Sequence, residues 1–125
     1  MSENKKKDTN FIDPKEFDVA EQEARESTYV YVHKLSKPFT YEDKTYTEFT
    51  FEWEKLTGND SIAIEDEVRA LGKVVVSAEF SSEYLVRMAA KACTEAIGAD
   101  LITALPLRDY NKIRGKARSF LMNAA

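Results

Sequence analysis

His33 is the only histidine of the chain and Cys93 its only cysteine, so acid–base, nucleophilic or metal chemistry would have to be built around one of them. His33 stands beside Lys34 in the run Tyr29 to Leu35. No serine, cysteine or metal-ligand neighbourhood that spacing alone supports surrounds it, and a surface or hairpin-edge role is expected. Cys93 sits among alanines in a helical pattern, where a thiol packs as a small hydrophobe. With no second cysteine, an intrachain disulfide is excluded. Glu65, Asp66 and Glu67 lack ligand-like spacing and fall in the first turns of an expected helix, where negative charge complements the helix dipole. The four glycines are isolated, which excludes a phosphate-cradling loop, and HExxH, CxxC and nucleophile-elbow patterns are absent. These residues predict a non-enzymatic protein without catalytic, cofactor or metal site.

What remains is binding. Arg108, Lys112 and Lys116 recur every four residues and give the last expected helix a basic stripe, suited to electrostatic contacts. Phosphate neutralisation supplies much of the affinity of nucleic-acid binders, and this chain has a pI of about 5.1, so nucleic acid is not the expected partner. Charge is uneven: 17 acidic against 10 basic residues up to Gly72, then 5 against 8. Such poles could attract one another or a second copy, giving head-to-tail self-association.

The elements that must position these groups follow from periodicity. At 125 residues with 43% hydrophobic and 32% charged residues, one soluble domain is expected, and no apolar run approaches the roughly 18 residues of a membrane helix. Residues 1–27 are too polar to offset the entropy of ordering and are expected to form a mobile charged arm. Within it, Asp13-Pro14 followed by Lys15 to Arg25 supports at most a marginal helix with Phe17, Val19, Ala20 and Ala24 as packing groups. The lysines near the N-terminus are not followed by an apolar stretch, so a secretory signal is not expected and a cytoplasmic location is.

Residues 28–125 are expected to form a single α+β domain. Its hairpin, 29–54, has a first strand over Tyr29 to Leu35, an edge segment at Pro38, a turn at Glu42-Asp43-Lys44 and a return strand over Thr45 to Trp53. Alternation puts Thr47, Phe49, Phe51 and Trp53 on an apolar face and Tyr46, Glu48, Thr50, Glu52 and Glu54 on a wet one. Two or three strands cannot bury that face, so helices or a partner must cover it. The helical part, 59–123, is expected to be a bundle of about three to four helices. Thr57-Gly58-Asn59-Asp60 supplies turn and capping residues for a helix over Ser61 to Leu71, stopped by Gly72. Lys73 to Ser82 is a short strand or an extended connector. Ser81 or Ser82 caps a helix to Ile97 with Leu85, Met88, Ala89, Ala92, Cys93, Ala96 and Ile97 as its apolar stripe. A turn from Asp100 to Leu105 is broken by Pro106, and the last helix, Leu107 to Met122, turns Leu107, Tyr110, Ile113, Ala117, Phe120 and Leu121 inward.

The order Leu35-Ser36-Lys37-Pro38-Phe39, a turn, Tyr46-Thr47-Glu48-Phe49, then Leu56-Thr57-Gly58-Asn59-Asp60 opening a helix resembles the tail assembly chaperones of long-tailed bacteriophages. The similarity extends through Asp100-Leu101 and Leu107-Arg108-Asp109-Tyr110 to Phe120-Leu121, covering roughly Val32 to Met122. The turn lacks the glycine such hairpins often carry, and Lys73 to Phe80 is richer in valine. The resemblance implies a non-enzymatic role in virion assembly: keeping the tape measure protein soluble and helping to recruit tail tube subunits, in the cytoplasm of the bacterial host and outside the mature virion. Candidate partner-binding residues are Phe49, Phe51, Trp53, Met88, Phe120, Leu121 and Met122, because aromatic and methionine side chains bury large areas and adapt to varied helices. Arg108, Lys112 and Lys116 are candidate electrostatic contacts. A small phage or host nucleic-acid-binding regulator and a structural tail component are the alternatives.

Overall fold

A computed structural model describes residues 29–124; the expected arm and its marginal helix lie outside the described residues. The described chain is α+β: an antiparallel two-stranded hairpin followed by four α-helices. Strand β1 spans Val30–Tyr41 and β2 spans Lys44–Glu52. Glu42 and Asp43 join them at φ 49° and 68°, the left-handed backbone of the two-residue turns that match strand twist, reached here without glycine.

The ladder runs from Val30↔Glu52 to Lys34↔Glu48 and resumes at Phe39↔Tyr46. Five steps on β1 thus oppose two on β2, and Pro38, which cannot donate to a ladder, falls inside this irregular stretch. The side-chain alternation changes there. Tyr46, expected on the wet face, packs against the core with its ring 5.1 Å from that of Phe49, whereas Thr47, expected inward, is exposed.

A 3-10 turn at Trp53–Lys55 leads to α1, Gly58–Ala70. This helix begins three residues earlier than the periodicity predicts because Thr57 is its cap. Thr57 Oγ1 accepts from the Asp60 N–H, and the Asp60 carboxylate accepts from the Thr57 N–H. Thr57→Ala is expected to cost about 1 kcal/mol in urea unfolding, since it orphans one helix donor and loosens the reciprocal bond. Gly72, at φ 79°, ends the turn after α1.

Lys73 to Ser77 is the connector of the two readings: it pairs with no strand among the described residues, and Val74 and Val76 are 82% and 94% exposed on either side of half-buried Val75. After a 3-10 turn at Ala78–Phe80, α2 spans Ser82–Ala92 with Ser81 Oγ capping the Tyr84 N–H. This helix stops short of the expected Ile97. Cys93 bridges to Phe51, and the Thr94 N–H donates to the Thr50 carbonyl at 2.8 Å. The chain leaves the helix there because the outer edge of β2 offers it backbone partners. A short α3, Ala99–Ala104, and α4, Leu107–Ala124, complete the order. Leu107, expected to pack inward, is 71% exposed at the start of α4.

The apolar hairpin face is covered by the chain's own helices. Phe49, Phe51 and Trp53 are completely buried with Leu85, Ala89 and Ala92 of α2, Ile102 of α3, and Ile113 and Ala117 of α4. Four rings form a row through this layer: Tyr31 to Phe51 at 6.2 Å, Phe51 to Trp53 at 5.3 Å and Trp53 to Phe120 at 6.1 Å, all near-parallel. Along the surface, α1 and α2 are laced by Glu67 with Lys91 and Arg87, while Glu83 bonds Arg87 and Lys73. Asp66 pairs with Arg69. The acidic cluster of α1 is thus partly consumed by structural ion pairs, and among the described residues no group of three His, Cys, Asp or Glu could hold a metal.

Candidate partner-binding cleft

The first turn of α1, α2 and the C-terminal end of α4 do not close completely on one another. They leave an open cleft of about 230 Å³, lined by Leu56, Ile64, Tyr84, Met88, Phe120 and Leu121, with Thr57, Asp60, Ser61 and Ala124 at its border. Its walls are mostly apolar, and its polar groups are already engaged. Asp60 and Thr57 are held by the capping box, and Ser61 Oγ and Tyr84 Oη bond one another at 2.7 Å. A site of this kind removes apolar surface from water without offering a reacting group, which is the chemistry of docking.

The sequence-predicted partner residues divide three ways. Phe49, Phe51 and Trp53 are not available to a partner, because the helices that two strands require for burial come from the same chain. Met88, Phe120 and Leu121 are brought together in the cleft, Met88 as a largely buried part of its wall. Met122, 54% exposed, is not among the lining residues. Leu56, Ile64 and Tyr84 were missed; Ile64 belongs to the apolar spacing of α1, but only the three-helix arrangement shows that this spacing ends in an opening. Arg108 and Lys112 lie exposed on α4, whereas the Lys116 ammonium sits 5.3 Å from the centre of the Tyr31 ring.

His33 is not at the surface. It is buried, and its Nε2 lies 2.7 Å from Asp109 Oδ1, while Ser36 donates through Oγ to Oδ2 at 2.9 Å and through its N–H to Oδ1 at 3.2 Å. Tyr31 Oη lies 2.7 Å from His33 Nδ1. Burial acts to raise the Asp109 carboxyl, but the hydrogen bonds from His33 and Ser36 outweigh it and hold the group below the ordinary aspartate value. The carboxylate can only accept, so His33 Nε2 carries a proton toward it, and in the neutral ring Nδ1 accepts from Tyr31. Burial, with the charge of Asp109, pushes Tyr31 up to about 12, which keeps its hydroxyl protonated at neutral pH. The signal for this network was the alternation Tyr31, His33, Leu35, which turns His33 toward the same side as its cross-strand neighbour Phe49. The network ties β1 to the first turn of α4. It has histidine and serine in one cluster, but both are spent on the same buried carboxylate, which gives it the character of a structural clasp.

Cys93 is buried, as expected from its alanine neighbourhood, and its thiol is pushed up to about 12, chiefly by burial, with the Glu95 carboxylate acting in the same direction and the Glu95 N–H against it. In the folded protein it should react with a thiol reagent at pH 8 at least about a hundredfold more slowly than in urea-unfolded protein, because little thiolate forms and access is closed.

No protein-family model matches the chain, and neither the curated proteins nor the solved structures contain a significant match to it. No helix among the described residues is long and apolar enough to cross a membrane.

Proposed function

We propose that this protein is a non-enzymatic binding protein whose cleft receives an apolar helical segment of a partner. The observation that carries the reading is the opening between α1, α2 and α4, where Ile64, Met88, Phe120 and Leu121 face a shared space and the neighbouring polar groups bond one another. Methionine and aromatic walls suit a helix of variable sequence. The resemblance to tail assembly chaperones supplies the identity of the partner: the tape measure protein, kept soluble while tail tube subunits are recruited to it. On this reading the protein acts in the cytoplasm of the bacterial host and is left out of the finished particle.

The test is co-expression with the tape measure protein of the same genome, followed by affinity capture from the soluble fraction at low and high salt. The tape measure protein is expected to become soluble and to stay bound at high salt, since apolar docking is not screened. Ala124→Asp, which sets a charge at the border of the cleft on an exposed position, is expected to weaken capture at least about tenfold by adding a desolvation cost to docking. Lys112→Glu should leave capture at high salt unchanged. An insoluble, uncaptured tape measure protein overturns the reading, as does recovery of this protein in purified virions, which would make it a tail component.

A further inference from the structure

We infer that Tyr31, His33 and Asp109 form a proton-coupled electron-donor site: when a one-electron oxidant such as an oxygen-centred radical takes an electron from Trp53, Tyr31 replaces it and passes its phenolic proton to His33. The clasp between β1 and α4 then has a second role, drawing oxidation out of the core. This role is separate from the binding function proposed for the cleft and does not depend on it.

The two ends of the path differ in what can happen to a proton. Trp53 is completely buried, and its Nε1–H has no hydrogen-bond partner among the described residues. An oxidised indole there has no base to take its proton, so it stays a cation in an apolar core, where an unpaired charge is costly. That makes it a strong oxidant of its neighbours. Tyr31, by contrast, is half-buried, and its Oη lies 2.7 Å from His33 Nδ1. Oxidation turns a phenol hydroxyl into a very strong acid, so its proton needs an acceptor already in place. Imidazole, with an ordinary pKa of about 6.5, is one. His33 Nε2 faces Asp109 Oδ1 at 2.7 Å, so the imidazolium formed by the transfer meets a carboxylate that Ser36 holds through its hydroxyl and its N–H.

Phe51 connects the ends, near-parallel to both rings at 5.3 Å from Trp53 and 6.2 Å from Tyr31. Electrons tunnel through such packed steps. Protons do not, so the proton must be handed over locally at Tyr31. The Lys116 ammonium, 5.3 Å from the centre of the Tyr31 ring, opposes a positive charge there but not the neutral radical left after proton loss. The step balances: Tyr31 loses one electron and its Oη–H proton, Trp53 regains the electron, and Nδ1 gains the proton. The products are intact Trp53, a neutral Tyr31 radical and an imidazolium paired with Asp109. Other tyrosines are less well served. Tyr41 donates to the Asp100 carboxylate, a weaker base than imidazole, and Tyr84 is bonded to the Ser61 hydroxyl, a weaker one still.

The experiment creates the vacancy with light. Trp53 is the only tryptophan, so a laser pulse at the red edge of protein absorption photoionises it in the intact chain, with an electron scavenger present, and transient absorption follows the tryptophan and tyrosine radicals. The tryptophan signal is expected to decay into a tyrosyl signal at a rate independent of protein concentration. Tyr31→Phe, which keeps the ring and its stacking, is expected to slow that decay at least about tenfold and to remove the tyrosyl signal, in keeping with what a positioned base contributes. Tyr41→Phe should change neither. In the unaltered chain the decay should be about twofold slower in heavy water, because the proton moves with the electron. Unchanged decay in Tyr31→Phe overturns the inference, as does loss of the tyrosyl signal in Tyr41→Phe. Equal rates in ordinary and heavy water overturn it in the unaltered chain, where folding of a variant is not in question.

Discussion

Asp109→Ala is expected to remove at least about 3 kcal/mol of stability at pH 7, because it takes the shared acceptor away from several buried donors, each costing about 1–3 kcal/mol when left unsatisfied. The loss has a specific origin. Asp109 is 2% exposed and accepts from His33, Ser36 Oγ and the Ser36 N–H. Alanine would leave those donors facing a space that holds no acceptor, at a site where β1 and α4 meet. For a domain of ordinary stability this is a large fraction of the total. Asp109→Asn keeps the shape and one acceptor and should cost less, about 1–3 kcal/mol. Urea unfolding measures both, and losses within 0.5 kcal/mol of the parent for the alanine variant would show that the clasp does not hold the two elements together.

The same carboxylate gives the protein an acid limit. Its pKa in the folded state lies below the ordinary aspartate value near 3.9. The stabilisation is therefore complete above the unfolded pKa and disappears as pH falls through about 4 and on toward the lower folded value. Unfolding free energy followed from pH 6 to pH 3 should fall more steeply for the parent than for Asp109→Asn, in which that proton linkage is gone.

Trp53→Ala is the second large effect, expected at about 3–5 kcal/mol for emptying a completely buried ring site. The ring is the middle of the row that joins the sheet to α4, with Phe51 at 5.3 Å and Phe120 at 6.1 Å. Its indole Nε1 is buried without a hydrogen-bond partner among the described residues. Trp53→Phe therefore removes volume and, with it, an unsatisfied donor. The two terms oppose each other, and a loss under about half that of alanine is expected. Thermal melts of the two variants check this; equal losses would mean that the orphaned N–H carries no cost and that the stack does not depend on a ring at this position.

Much of the fold was legible in the sequence because local patterns agree with global ones. The alternation through Phe49, Phe51 and Trp53 has one inner face, the cap at Thr57 has its Asp60 partner, and the stripe on α2 is continuous. What could not be read is what depends on a second element. The shift in alternation before Phe49 arises from the ladder irregularity around Pro38, a property of two strands together. The early end of α2 arises from the free edge of β2, which no window around Cys93 contains. The clasp joins residues 76 apart in sequence, so His33 looked solitary. For the cleft the pattern named the right kinds of side chain but could not tell covered from uncovered. Phe49 and Phe120 are equally aromatic, and only their distance from the end of α4 separates core from opening.

The late position of α4 also has a kinetic meaning. Ile113, Ala117 and Phe120 of this helix cover the aromatic sheet face that residues 31–53 create, so during synthesis that face waits for more than sixty further residues. A nascent hairpin of this kind is adhesive until its last helix emerges. The cell meets the chain first as an uncovered sheet, and closure across the whole sequence, a high-contact-order event, is the step that should set its folding rate.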